Sequence, residues 1–432
     1  MSLPSLPEPA YRPVSALAVA GFAVSTLTAL VLGILGLLAF RSGTPLLMPW
    51  LSAVSGLGAV LSYVAWFRDR RCPEALSGQA LAVWGIWLGI VPGLTYLAYY
   101  AATERAIRYQ AQSFTDEWLG RLEKEELAAA FWQTLPPAQR QPIDPSQADL
   151  LKFRFGMTPS GPGAWLRFQQ NNLVRLSILK LDERTITMDD AVTVRLCHGI
   201  EDASRWQAQG VRRWDYVGDD DGGGLRVELT YRLRRPEGEY DAVVPVWGRE
   251  SRATPPAFPG RQWQIDVVHI QITPRWSPLG ESLARLRRQA YDQVRHWQAR
   301  VDQGELAEIP IRFAEDMLTQ EPLDRDESPR QIVDLFQTSP KPVESLWLPE
   351  DEPILDWWLD RETPRLYFAL PFEMRLASGA ELFGSVIVAL ADPAVVETLR
   401  DHLADTHIRL PPSRADAWHI DRWYVRALRK TR

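Results

Sequence analysis

The sequence predicts a membrane-anchored α+β protein: three transmembrane helices, then two tandem units that each combine a long helix with an antiparallel sheet. Three observations predict it. Apolar runs at residues 14–40, 45–67 and 80–102 contain no Asp, Glu, Lys or Arg, and each exceeds the ~20 residues that a helix rising ~1.5 Å per residue needs to cross a ~30 Å hydrocarbon core. A helix-ending motif occurs twice: Trp118-Leu-Gly-Arg-Leu-Glu-Lys-Glu-Glu-Leu-Ala128 aligns without a gap on Trp297-Gln-Ala-Arg-Val-Asp-Gln-Gly-Glu-Leu-Ala307, 179 positions later. A strand motif recurs too, Trp263-Gln-Ile-Asp-Val-Val-His-Ile270 matching Trp418-His-Ile-Asp-Arg-Trp-Tyr-Val425 at an offset of 155.

Bulk composition narrows the function classes. The chain has 432 residues, and the part beyond the apolar runs is long enough for two or three folded units at roughly 100–200 residues each. A net charge of −6 with 24% charged residues offers no basic surface for a phosphate backbone, so nucleic acid is excluded as a partner. The two cysteines, Cys72 and Cys197, build neither a disulfide framework nor a thiolate metal site. The tail, residues 1–13, lacks the basic flank of a secretory signal, and the run after it is too long for a signal core. The first helix is therefore expected to remain as an anchor.

Within the membrane module, residues 14–102, small residues punctuate each helix: Gly33 and Gly36, then Ser55, Gly56 and Gly58, then Gly85, Gly89 and Gly93. Such spacing lets backbones approach where lipid gives no hydrophobic incentive to associate, and either packing among the three helices or dimerisation would use it. Trp50, Tyr63, Trp66, Tyr96, Tyr99 and Tyr100 stand near the run ends, as an interfacial belt requires. Pro92 is expected to kink the third span. Arg12 and the group Arg68, Arg70 and Arg71, against Arg41 alone in the first loop, place the N-terminus and second loop in the cytoplasm and the soluble units outside.

Ser15-Ala-Leu-Ala-Val-Ala-Gly-Phe22, the basic Arg68-Asp-Arg-Arg71, and Ser77-Gly-Gln-Ala-Leu-Ala-Val-Trp-Gly-Ile-Trp-Leu-Gly89 together resemble a small bacterial membrane domain of unknown function. The match covers residues 12–100 and departs from the family where Thr44-Pro45 splits the first half into two spans. The resemblance implies a bacterial inner-membrane protein and transfers no activity.

The soluble units are expected at residues 103–276 and 277–432, with a hinge at Pro274-Arg-Trp-Ser-Pro278. Ile107, Ala111, Phe114, Trp118 and Leu122 make one apolar stripe at helical spacing, and Leu283, Leu286, Ala290, Val294, Trp297 and Val301 make another. β-Branched and aromatic runs at 225–233, 242–247, 365–375 and 382–390 read as strands. Residues 263–270 and 418–425 read as closing strands, and 320–353, dense in Pro, Asp and Glu, reads as a solvated loop with apolar anchors. The helix ending Trp-x-x-Arg-Leu/Val-Glu/Asp-x-x-Glu-Leu-Ala and the closing strand resemble those of the nuclear-transport-factor-2-like cone fold, in which a helix covers a curved sheet. That resemblance implies tandem cone-like domains, a fold that hosts enzymes and inert binding modules alike.

Candidate chemistry is sparse. The six histidines, at 198, 269, 296, 402, 407 and 419, are scattered and lack zinc-ligand spacing. Asp219-Asp-Asp-Gly-Gly-Gly224 lacks the alternating ligands of a calcium loop and reads as a hairpin turn. No nucleophile elbow, phosphate-binding loop or dinucleotide fingerprint occurs. No metal or cofactor is therefore expected. Asp266 and Asp421, on the two closing strands, are the catalytic candidates, as general bases if an apolar setting raised their pKa. Under strict alternation His269 faces away from Asp266, and both Asp residues are expected to be turned outward or paired with Arg. The expected function is a non-enzymatic envelope scaffold that binds a protein partner or small ligand. The alternative is a membrane-anchored lyase or isomerase.

Overall fold

A computed structural model describes residues 14–42, 48–71, 78–140, 144, 147–158, 161–178, 206–217, 224–250, 261–303, 311–319, 343–360, 363–402 and 405–430. Cys72, Cys197 and most of the Asp219–Gly224 motif lie outside them. By compactness the chain divides into Met1–Gln110 with Glu250–Arg261, and Ala111–Arg249 with Gln262–Arg432.

In the first unit α1 (Ala16–Ser42) and α2 (Trp50–Arg71) are followed by α3 (Gln79–Glu123), which runs unbroken through Pro92. All three are long and apolar enough to cross a membrane. Their close approach depends on a subset of the small residues. A Cβ on Gly89 would lie 2.8 Å from the Ala59 methyl, one on Gly58 2.6 Å from Ser25 Oγ, and one on Gly93 3.0 Å from Ser55 Oγ. Ser55 donates to the Gly89 carbonyl at 2.8 Å, and the Met48 amide donates to the Tyr96 hydroxyl at 2.8 Å. Gly33, Gly36 and Gly56, expected among the packing residues, face open space. Gly21, against Ser62, takes part although its spacing did not single it out.

In the second unit the soluble end of α3 buries Ala111, Trp118 and Leu122. Glu125, in the left-handed region at φ 63°, turns the chain into five short helices: α4 (Leu127–Thr134), α5 (Pro137–Arg140), α6 (Ala148–Phe155), α7 (Ala164–Gln170) and α8 (Asn172–Ile178). A two-residue ladder, β1 (Met157–Thr158) and β2 (Gly161–Pro162), lies among them. Their core is an edge-to-face cluster of Phe131 on Phe155, Trp165 and Phe168 at 5.0–5.6 Å.

The first sheet follows: β3 (Gln207–Val217), β4 (Gly224–Arg235), β5 (Gly238–Glu250) and β6 (Arg261–Ile265) in that order, with β7 (Gln271–Trp276) also on β5. β4 alternates buried and half-exposed positions, as a strand covered on one face must. Helix α9 (Pro278–Asp302) then begins at Ser277, whose hydroxyl caps it by accepting from the Gly280 amide. The second sheet contains β8 (Ile311–Thr319), β9 (Val343–Trp347), β10 (Trp357–Leu359), β11 (Leu366–Leu376), β12 (Ala380–Leu390) and β13 (Trp418–Lys430). Its order is β10-β11-β12-β13-β8, with β9 also on β11. Helix α10 (Pro393–Asp401) connects β12 towards β13.

Each sheet thus has a long hairpin, β4–β5 or β11–β12, and the Trp263 and Trp418 strands both pair with the second strand of theirs. The second sheet departs from an all-antiparallel form where β8 runs parallel to β13. All six residues of the α9 stripe join the second core, where Trp297 lies 4.6 Å from Trp423 between ring centroids. Gly384 permits the close approach of β13, because any Cβ there would collide with the Tyr424 carbonyl oxygen.

Two expectations are corrected. Residues 263–270 are not one strand: β6 ends at Ile265, and Val267–His269 form a 3-10 turn before β7. The Asp266 amide donates to the Pro245 carbonyl at 3.0 Å, but proline has no N–H to return. The Asp266 carbonyl instead accepts from the His269 amide at 3.3 Å, which closes the turn. Where described, 320–353 is not all loop: β9 occupies Val343–Trp347 and Glu352 is nearly enclosed, although Glu344, Ser345, Trp347, Glu350 and Asp351 are exposed. Trp347 is exposed while Leu346 packs on the core, and the anchors Ile332, Leu335 and Phe336 lie outside the described residues.

Candidate functional site

The 3-10 turn brings Asp266 and His269 together. With about three residues per turn, positions i and i+3 share a face, and His269 Nδ1 sits 2.8 Å from Asp266 Oδ2. Trp247 Nε1 donates to the same oxygen at 3.1 Å. The carboxylate is 15% exposed and the imidazole 63%. The opposite-face expectation for His269 is therefore wrong, and among the described residues the partners of Asp266 are His269 and Trp247 rather than an Arg. Asp421 behaves as expected: its Oδ2 accepts from Arg422 Nε at 2.7 Å. His419, two residues earlier, lies 3.4 Å from Arg365 Nη1 through its Nε2, and Asp421 stands at a bulge, since Arg422 pairs with Ile387 and Ile420 with Val388. Burial, then the Arg365 charge, holds the His419 pKa below its ordinary value, with Asp421 pulling the other way.

The two aspartates are not brought into one site. Asp266 stands at the break between β6 and β7, and Asp421 within β13. Phe368, Phe372, Met374, Trp418 and Trp423 fill the core of the second sheet with Leu286, Tyr291 and Val294 of α9. Among the described residues no three His, Cys, Asp or Glu side chains gather as a metal site would require.

Among the described residues a buried cluster of charges lies elsewhere, where the two sheet-bearing halves meet. Arg175 of α8 is enclosed and reaches both Glu352 and Asp356. Arg287 of α9 donates to the Glu352 carbonyl at 2.7 Å and to the Ile354 carbonyl, and the Tyr291 hydroxyl donates to the Pro349 carbonyl at 3.0 Å. At the other end of this segment, the β4–β5 turn residue Glu237 is 1% exposed. It accepts from the Tyr240 hydroxyl at 3.0 Å and from Trp357. Burial pushes Glu352 up to about 7 despite the opposing pull of Arg175, and it raises Glu237 as well. Sequence reading missed this cluster because Arg175, Arg287, Glu352 and Asp356 share no spacing or motif.

A second buried cation locks the first half. Arg140 donates to the carbonyls of Leu135, Gln133 and Trp263 at 2.8, 2.7 and 2.8 Å, joining α5 and the end of α4 to β6. Burial lowers its pKa to about 10.

Compared with known proteins, the chain matches no family model, no curated protein and no solved structure.

Proposed function

We propose that the chain is a non-enzymatic, membrane-anchored module of the bacterial envelope, whose duplicated cone-like units hold a protein partner or small ligand outside the inner membrane. The matching positions of the Trp263 and Trp418 strands support duplication. The observation that carries the binding reading is the filled interior of the second sheet, with Asp421 spent on Arg422. A general base needs a substrate position within hydrogen-bond reach, and packed aromatic rings leave none there. The cone-fold and bacterial membrane-domain resemblances agree with this reading, as does the Arg68, Arg70 and Arg71 cluster with placement of the units outside.

One observation favours a pocket enzyme instead: Asp266 and His269 form a carboxylate–imidazole pair whose ring reaches solvent. A small-molecule screen by thermal shift on the full chain in lipid nanodiscs, repeated with Asp266→Asn and Asp421→Asn, separates the two. The scaffold reading expects any stabilising compound to act equally on all three proteins. A compound that is turned over by the wild type and ignored by Asp266→Asn overturns it. Alkaline phosphatase fused after Thr103 should be active, and an inactive fusion would put the soluble units in the cytoplasm.

A further inference from the structure

Residues 349–357 cross the junction between the two halves of the soluble unit; Leu355 and Trp357 are fixed in the second core and Trp357 pairs with Phe368 of β11, while the hold of α8 on the segment is polar. From the second half, α9 supplies Tyr291 to the Pro349 carbonyl and Arg287 to the Glu352 and Ile354 carbonyls. From the first half, α8 supplies Arg175 to the Glu352 and Asp356 carboxylates, while the β4–β5 hairpin supplies Glu237 to Trp357 and Tyr240 to the Leu355 amide. The second half holds the segment through main-chain bonds and its core, whereas α8 grips it through two carboxylates. One guanidinium pairs well with one carboxylate. A second carboxylate in the same enclosed space must repay its lost hydration.

We propose that residues 349–357 form a proton-controlled strap, closed onto α8 when Glu352 carries a proton and released from α8 when Glu352 is ionised. The groups facing Glu352 are Arg175 from α8, Arg287 and Tyr291 from α9, and Asp356 from the strap itself. Asp356 alone satisfies Arg175 as an ion pair, so a neutral Glu352 stays in place as a hydrogen-bonding group. Once ionised it gains more from water than from a shared guanidinium. The Asp356 Oδ1 atom is buried without a hydrogen-bond partner, so Arg175, shared with Glu352, does not satisfy both oxygens of this carboxylate. Arg287 keeps its hold on the carbonyls in either state, so release opens the α8 side and leaves the α9 side fastened. Burial sets the direction, since it pushes Glu352 from 4.5 up to about 7, so protonation and closure are favoured together as pH falls.

Hydrogen exchange on the full chain in nanodiscs tests the strap, with rates corrected for intrinsic pH dependence. Protection of peptides covering 349–357 and 172–178 should fall by at least about tenfold between about pH 5.5 and about pH 8, while peptides from β12 stay unchanged. Glu352→Gln should hold the protected state at both pH values, and Asp356→Asn, which leaves Arg175 to Glu352 alone, should weaken the pH dependence. Equal wild-type protection at both pH values overturns the proposal. So does a pH dependence that survives in Glu352→Gln, or a loss of protection shared with β12, which would be global unfolding.

Discussion

Asp266 and His269 face each other because Pro245, across the ladder, has no N–H to give. The missing donor frees the Asp266 carbonyl, the His269 amide takes it, and the resulting 3-10 turn aligns two side chains that an intact strand would have set on opposite faces. A proline on β5 thereby decides the geometry of the most reactive-looking pair in the first half.

The two members of that pair should contribute unequally to stability. His269 is mostly exposed, so His269→Ala should change the unfolding free energy by less than ~0.5 kcal/mol. Asp266→Ala also removes the acceptor of Trp247 Nε1 and should cost about 1–2 kcal/mol. Urea denaturation with the midpoint and slope both fitted checks this, and equal losses would mean that Trp247 finds another acceptor.

Arg140 offers a sharper case. Its guanidinium satisfies three carbonyls, on Leu135, Gln133 and Trp263. Arg140→Met keeps most of the stem but strands those acceptors, so a loss of about 2–4 kcal/mol is expected. Arg140→Lys should recover only part of it, because one ammonium cannot reproduce the planar fork. Full recovery by Lys would show that charge rather than geometry holds α5 to β6.

How much of this was legible beforehand follows the physics of each signal. The membrane helices came from the length of uncharged apolar runs and the α9 stripe from hydrophobic periodicity, both local signals, and every stripe residue from Leu283 to Val301 joins the core. The hairpins around Gly238 and Gly379, both at positive φ, announced themselves through turn residues between β-branched runs. The 3-10 turn at Val267–His269 did not, because its cause lies on another strand, at Pro245. Arg175 and Glu352 were equally silent: they are 177 positions apart, and burial turned an acidic, loop-like stretch into the centre of a junction. The five helices between Leu127 and Ile178 are short, and none had a periodic pattern long enough to register.

The small residues of the membrane module divide into two groups that mutation should separate. Gly89→Val brings a side chain into the Ala59 backbone, where even a Cβ lies 2.9 Å from the amide nitrogen, and should lower the thermal stability of the detergent-solubilised protein markedly. Gly33→Ala, Gly36→Ala and Gly56→Ala meet open space and should be neutral within ~0.5 kcal/mol or slightly stabilising through helix propensity. If those three instead abolish an oligomer seen by cross-linking in lipid, their open faces are a contact between copies.

The last prediction concerns pH, where His419 and Glu352 act in opposite directions. For His419 the folded pKa lies below the ordinary 6.5, so the folded state binds fewer protons than the unfolded one. Its stability contribution is intact above 6.5 and is lost as pH falls through the folded value. For Glu352 the folded pKa is raised from 4.5 to about 7, so the folded state holds the extra proton. That contribution is complete below 4.5 and is lost as pH rises through about 7. Between those limits the two slopes oppose each other, and the wild-type urea midpoint should vary little from about pH 5 to about pH 7. Removing one group should expose the other: His419→Gln should leave a protein whose midpoint falls steadily as pH rises, and Glu352→Gln one whose midpoint falls as pH drops below 6.5. Urea titrations of both variants across this range check the signs, and parallel curves for the two would show that neither group controls the slope.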